Sequence, residues 1–170
     1  SPLLPVKPVR LSALKQFHRK IQDFLILEGK SLQIMTYPLV GNDLLQKALW
    51  PVMNENLVLL NSLSVEQERM RPSMIPSAIE MAAHNQKNFD SFSFFEIGRS
   101  YLDYEKERSQ LLIGFYSKEG SRFLELVNVM EKLLATLNVN YNFTGKNEKF
   151  PNPVVPHSWP GLHPHELINI

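Results

Sequence analysis

Glu96 is the side chain in this sequence whose surroundings most resemble a reactive setting. It follows Phe92, Phe94 and Phe95 in a stretch that reads as a strand. Strand alternation puts Phe92, Phe94 and Glu96 on one face and Phe95, Ile97 and Arg99 on the other. A carboxylate on a phenylalanine-rich face must be paired or have its pKa raised. General-base chemistry would also need a histidine or second acid at a supporting spacing, and none is present. An ion pair with Arg69, Arg71 or Arg99 is therefore the expectation. His157, His163, His165 and Glu166 form a second candidate set with zinc-ligand chemistry. They lie in a proline-rich arm without a rigid frame, so solvated or locally capped histidines are expected instead. Arg10, Lys15, Arg19 and Lys20 offer phosphate contacts, yet Asp23 and Glu28 dilute that patch into a solvated face. Phe92, Phe94 and Phe95 suggest a base-stacking platform, but the basic, glycine-rich strand pattern that accompanies one is missing, and core packing is expected. No Walker loop, G-x-G-x-x-G or G-x-S-x-G motif occurs. The residues by themselves assign no catalytic, cofactor-binding or metal-ligating role.

These groups belong to a chain of 170 residues, 44% hydrophobic and 21% charged, with a formal net charge of +1. That apolar fraction is too high and the charge too low for disorder. At this length a domain can bury roughly 70% of the surface its unfolded chain exposes. No apolar run reaches the length of a membrane span, so no membrane partner is expected. The absence of cysteine removes disulfide frameworks and thiolate metal sites and favours an intracellular, cytoplasmic setting. A charge near zero argues against strong non-specific nucleic-acid binding.

Prolines gather at both ends, so residues 1–8 and 150–170 are expected to be extended arms around one folded domain. The first helix should begin near Val9 and stop at Gly29, and Leu32 to Val40 should form a strand. Asn42 or Asp43 should cap a short helix, Leu44 to Trp50. A strand is expected at Leu57 to Leu60. Ser64 and Gln67 have capping-box spacing, and Ser73 should cap a helix running to about Asn88 with Pro76 in its first turn. Phe92 to Tyr101 and Gln110 to Ser117 should pair as an antiparallel hairpin around the charged loop Asp103 to Arg108. Phe123 to Leu137 carries a one-sided apolar face through Leu126, Val127, Met130, Leu133 and Leu134. A last strand is expected at Tyr141 to Phe143. Helices segregated from hairpin-connected strands predict an α+β fold with an antiparallel or mixed sheet.

Two segments are more distinctive. The first is Leu60-Asn61-Ser62-Leu63-Ser64-Val65-Glu66-Gln67-Glu68-Arg69-Met70-Arg71-Pro72-Ser73-Met74-Ile75-Pro76, and the second is Phe94-Phe95-Glu96-Ile97-Gly98-Arg99-Ser100-Tyr101. They resemble, in order and spacing, the motifs of the bacterial phenylalanyl-tRNA synthetase β subunit in its catalytic-like domain. The matching positions are Asn61, Ser64, Met70, Arg71, Ser73, Pro76, Phe95, Glu96, Ile97, Gly98 and Arg99, read as structural. Met35-Thr36-Tyr37-Pro38-Leu39-Val40, Phe123 to Asn128 and Leu162-His163-Pro164 are similar to further segments of that family. Pro38 and Pro72 depart from its pattern, as do His165 and Glu166 after the final motif.

The resemblance implies a class II aminoacyl-tRNA synthetase catalytic-like domain, an antiparallel sheet flanked by helices, here as part of a larger chain. It also implies an α2β2 phenylalanine–tRNA ligase whose α subunit charges tRNA-Phe with ATP and magnesium. The β-subunit domain would pack on it as a scaffold, with no cofactor of its own. Class II enzymes carry a phosphate-gripping arginine at the end of the hairpin's first strand. Here Gly98-Arg99-Ser100-Tyr101 is followed by Leu102, which cannot supply charge-assisted bonds to phosphate. The alternative is a free-standing RNA- or protein-interaction module that reuses a synthetase-like fold.

Overall fold

Long strands and amphipathic helices build the molecule around one hairpin. The computed structural model describes residues 10–51, 57–103, 105–141, 155–156 and 158–162. Helix α1 spans Ala13–Leu27, and its start is set by Ser12, whose hydroxyl accepts the Lys15 N–H. Strands β1 (Leu32–Gln33) and β2 (Leu39–Val40) and helix α2 (Asn42–Lys47) follow. After a 3-10 turn at Val65–Gln67 come β3 (Arg69–Met70) and α3 (Ile75–Asn85). Strands β4 (Ser91–Asp103) and β5 (Lys106–Ser117) and helix α4 (Phe123–Thr136) complete the described elements.

The expected strand from Leu32 to Val40 is two strands in two sheets. β1 runs parallel to β4, with Leu32 opposite Phe94, at the edge of a sheet ordered β1-β4-β5. β2 pairs antiparallel with β3 in a separate ribbon. A bend at Pro38 lies between them, and the Pro38 carbonyl accepts the Arg71 N–H at 2.9 Å. The Leu57 to Leu60 segment makes only a bridge, Val58 to Arg69. The hairpin is antiparallel as expected but longer, because Asp103 pairs with Lys106 and shortens the loop. At α2 the N-cap is Gly41, not Asn42 or Asp43. The Glu68 carboxylate accepts the Asn42 N–H at 2.9 Å and satisfies that helix end from a distant segment. Residues 142 and 143 of the last expected strand lie outside the described residues, and Tyr141 is not in a strand.

The main core forms on the Phe95 face of the hairpin. Phe95, Ile21, Leu25, Val129 and Leu133 pack together, joined by the half-buried Ile97 and Ile113. Its α4 contribution centres on Val129 and Leu133, four residues apart, as one helical face requires. Val129 was absent from the expected stripe. A second cluster joins Val40, Leu45 and Trp50 to Val155 and Trp159 of the C-terminal arm. The Trp159 indole N–H donates to the Ala48 carbonyl at 2.8 Å, and its ring lies 5.2 Å from that of Trp50.

Candidate functional site

Strand alternation turns Phe95 into the core and leaves Phe94 and Glu96 on the opposite face. Glu96 is buried there, and its partner is Arg71, the residue after β3. The two side chains are 3% and 4% exposed, with Nη1 3.0 Å from Oε1. Thr36 closes the set. Its hydroxyl accepts from Arg71 Nη1 at 2.7 Å and donates to Glu96 Oε2 at 2.7 Å, using both capacities of one oxygen. Arg71 Nε donates to the Arg99 carbonyl at 2.7 Å, and the Tyr101 N–H returns to the Arg71 carbonyl at 3.0 Å. Gly98 is required where the guanidinium crosses the strand. A Cβ there would lie 2.5 Å from Arg71 Nη2 and 2.6 Å from Met74 Sδ.

Arg71, Glu96 and Gly98 are thus brought together from two motif segments, and Arg99 joins through its backbone. The Arg99 side chain is exposed and pairs with Glu107 at 3.1 Å. Arg69 reaches Asn42 Oδ1 at 2.8 Å. Ser73 is buried, but the N-cap of α3 is Met74, not Ser73; the Ser73 hydroxyl, one residue before the cap, accepts the Ile75 N–H at 3.1 Å. Pro76 is buried in that turn, while Met70 and Ile97 are half-buried. Asn61 is exposed and Ser64 half-buried, away from the Arg71–Glu96 pair. The Ser64 side chain does not cap the 3-10 turn. Its hydroxyl bonds the Glu66 carboxyl and, with that residue's own N–H, holds it below the ordinary carboxylate range. Thr36 was missing from the expected site, although it lies in the Met35 to Val40 segment singled out on other grounds.

Beside this buried pair, α3 and the hairpin enclose a cleft of about 450 Å³. Met74, Ile75, Ala78, Phe94, Leu112 and Tyr116 supply much of its lining, and none of the described lining residues carries a charge. Phe94 covers Gly114 so closely that a Cβ there would meet the ring at 2.2 Å. Leu102, near the end of β4, is 39% exposed. Of the nearby cations, Arg71 is committed to Glu96, and Arg108, opposite Ser100 in the ladder, lies on the same face but outside the described cleft lining. Phe94 at 6% and Phe95 at 0% exposure are also closed to stacking bases. Among the described residues no three His, Cys, Asp or Glu side chains gather to hold a metal, and no helix is long and apolar enough to cross a membrane. His157, His163, His165 and Glu166 lie outside the described residues.

The arrangement is a long hairpin beside a cleft whose described lining carries no charge, and sequence comparison agrees with the motifs. The family model for the phenylalanyl tRNA synthetase beta chain CLM domain matches residues 1–170. The chain belongs to this family. It is 28% identical over 173 residues to the phenylalanine–tRNA ligase beta subunit of Carboxydothermus hydrogenoformans, covering 91% of this chain and 20% of that protein. The corresponding subunit of Dehalococcoides mccartyi is 25% identical over 154 residues, covering 81% and 18%. The CLM domain thus spans about a fifth of the length of these relatives. Among solved structures, a pyrrolysyl tRNA synthetase of Desulfitobacterium hafniense superimposes with a TM-score of 0.58 at 19% identity, over 78% of this chain and 47% of that one. A histidine–tRNA ligase subunit of Alicyclobacillus acidocaldarius gives 0.58 at 17% identity, over 82% and 43%. The fold is that of class II synthetase catalytic domains: a sheet flanked by helices, antiparallel in its hairpin and parallel at its β1 edge.

Proposed function

We propose that this CLM domain is the non-catalytic, synthetase-like part of a phenylalanine–tRNA ligase β subunit and works as a scaffold for the α subunit. The observations that carry this reading are the cleft between α3 and the hairpin, whose described lining carries no charge, and Leu102 near the end of β4. A nucleotide's phosphates need cationic, charge-assisted donors, and neither the described lining nor that strand position supplies one. ATP, magnesium and phenylalanine would be handled by the α subunit of a cytoplasmic α2β2 enzyme, and tRNA-Phe would be met through the holoenzyme. The eleven motif positions act structurally: Arg71, Glu96 and Gly98 tie two segments together, with Thr36 joining a third, while Phe95 and Ile97 face the core. Exposed apolar side chains support a docking role. Leu32, Met35 and Tyr37, at 68%, 90% and 73% exposure, lie along the β1 segment.

Equilibrium dialysis with labelled ATP tests the proposal on the polypeptide that carries this domain, alone and with the α subunit. ATP retained only when the α subunit is present is the expected result. Micromolar ATP binding by the β polypeptide alone, lost on disrupting the α3–hairpin cleft, would refute it.

A further inference from the structure

We propose that the cleft between α3 and the hairpin binds an uncharged, largely apolar small molecule carrying one hydrogen-bond acceptor. Its volume of about 450 Å³ falls in the range of small-molecule sites, which are mostly apolar with a few placed polar groups. The polar groups here are biased towards donation. Gln110 receives the Ser100 hydroxyl on its amide oxygen, which leaves the amide hydrogens to donate. Ser73 takes the Ile75 N–H on its hydroxyl oxygen and keeps its own proton for donation. Tyr116 already gives its proton to Gln86. Met74, Ala78, Ile79, Ala82, Phe94 and Leu112 supply much of the remaining, apolar lining.

The described lining carries no charge, so an anion seated within it would be desolvated without a cationic partner there, which selects against carboxylates and phosphates. A neutral aromatic ketone meets both requirements, with its ring among Met74, Ala78 and Leu112 and its carbonyl towards the two donors. The site also has a built rim. Val155 lines the cleft and packs in the cluster of Val40, Leu45 and Trp50, where Trp159 anchors the same arm. Occupation of the cleft is therefore coupled to the seating of that arm.

Acetophenone is the probe, with benzoate as its anionic counterpart, titrated into the chain carrying labelled methionine, isoleucine and leucine methyls. Saturable shifts at Met74, Ile79 and Leu112 are expected with a Kd of about 1 mM or tighter, and binding of benzoate should be at least about tenfold weaker. Ala82→Phe should fill the cleft and weaken acetophenone about tenfold or more. Ile79→Asp, at an exposed position of the same helix, carries the same expectation should the first variant fold poorly. Trp159→Ala should weaken binding about threefold by freeing the rim. Absence of saturable shifts, equal binding of benzoate, or retention of full affinity in folded Ala82→Phe or Ile79→Asp would each overturn the proposal. Protection of these methyls by the α subunit, with no response to acetophenone, would assign the cleft to the subunit contact and likewise overturn it.

Discussion

Replacing Glu96 by Gln removes the counter-charge of a guanidinium that is 4% exposed on its side chain. The desolvation cost of Arg71 then stands uncompensated, and breaking a buried pair from one side typically costs about 3–5 kcal/mol. For a chain of this length each kcal/mol corresponds to about 2–4 °C, so Tm should fall by about 6–20 °C. The triple change Arg71→Met, Glu96→Leu and Thr36→Val removes every side-chain member of the set together. It leaves the Arg99 carbonyl without its guanidinium donor, a loss of about 1–3 kcal/mol. The triple variant should therefore melt above the single one, although it alters more residues. Thermal and urea unfolding followed by circular dichroism measure both. A Glu96→Gln protein within about 1 kcal/mol of the parent would refute the claim that this carboxylate compensates a buried cation. So would a triple variant less stable than the single one.

Leu133→Ala, at a position 1% exposed, should cost about 2–5 kcal/mol by opening the core between α1, α4 and the hairpin, read by urea unfolding. Gly114→Ala should cost about 1–3 kcal/mol, because the new methyl meets the Phe94 ring; Phe94→Leu in the same protein should recover part of it. Acid should loosen the sheet end and the start of α4. The Lys118 ammonium bonds the Asp90 carboxylate, and Arg122 bonds that of Glu125, which holds both acids below their ordinary range. A depressed carboxylate stabilises the fold above its unfolded pKa and loses that contribution as pH falls through its folded value. Asp90→Asn with Glu125→Gln should thus flatten the acid limb of stability against pH, measured by thermal melts between about pH 5 and pH 2.

Much of the architecture was legible because periodicity and punctuation agree along the chain. α1, α4 and the hairpin each carry a period that only one element type satisfies, and α3 is announced by Ser73 and Pro76 at its start. Leu32 to Val40 misled because its mostly apolar composition hides a change of partner at Pro38, and pairing is a tertiary choice. The loop from Asp103 to Arg108 misled for another reason. Its charges suggested solvent, but exposed strand ends carry charges well, and Arg99 pairs diagonally across the ladder with Glu107. At the site, the expectation left Arg69, Arg71 and Arg99 all open as partners of Glu96; alternation puts Arg99 on the opposite face, and nothing in the spacing separates Arg69 from Arg71. Register does so: Arg69 pairs across the ribbon with Val40 and turns to Asn42, while Arg71, beyond the strand, crosses to the hairpin. Thr36 escaped notice because a lone hydroxyl in an apolar run carries no pattern, and its importance comes only from the two charges that converge on it.

The parallel pairing of β1 with β4 also sets an order of events during synthesis. Thr36 and Glu96 are 60 residues apart in the chain. At ~5–20 residues per second the ribosome releases the first about 3–12 s before the second. Throughout that interval the nascent α1–β1 segment has no hairpin to lie on, and Arg71 stays hydrated until the far strand arrives. The ionic set therefore closes late, as a lock turned once the sheet is in place, and the early segment is the natural client of whatever shields emerging chains.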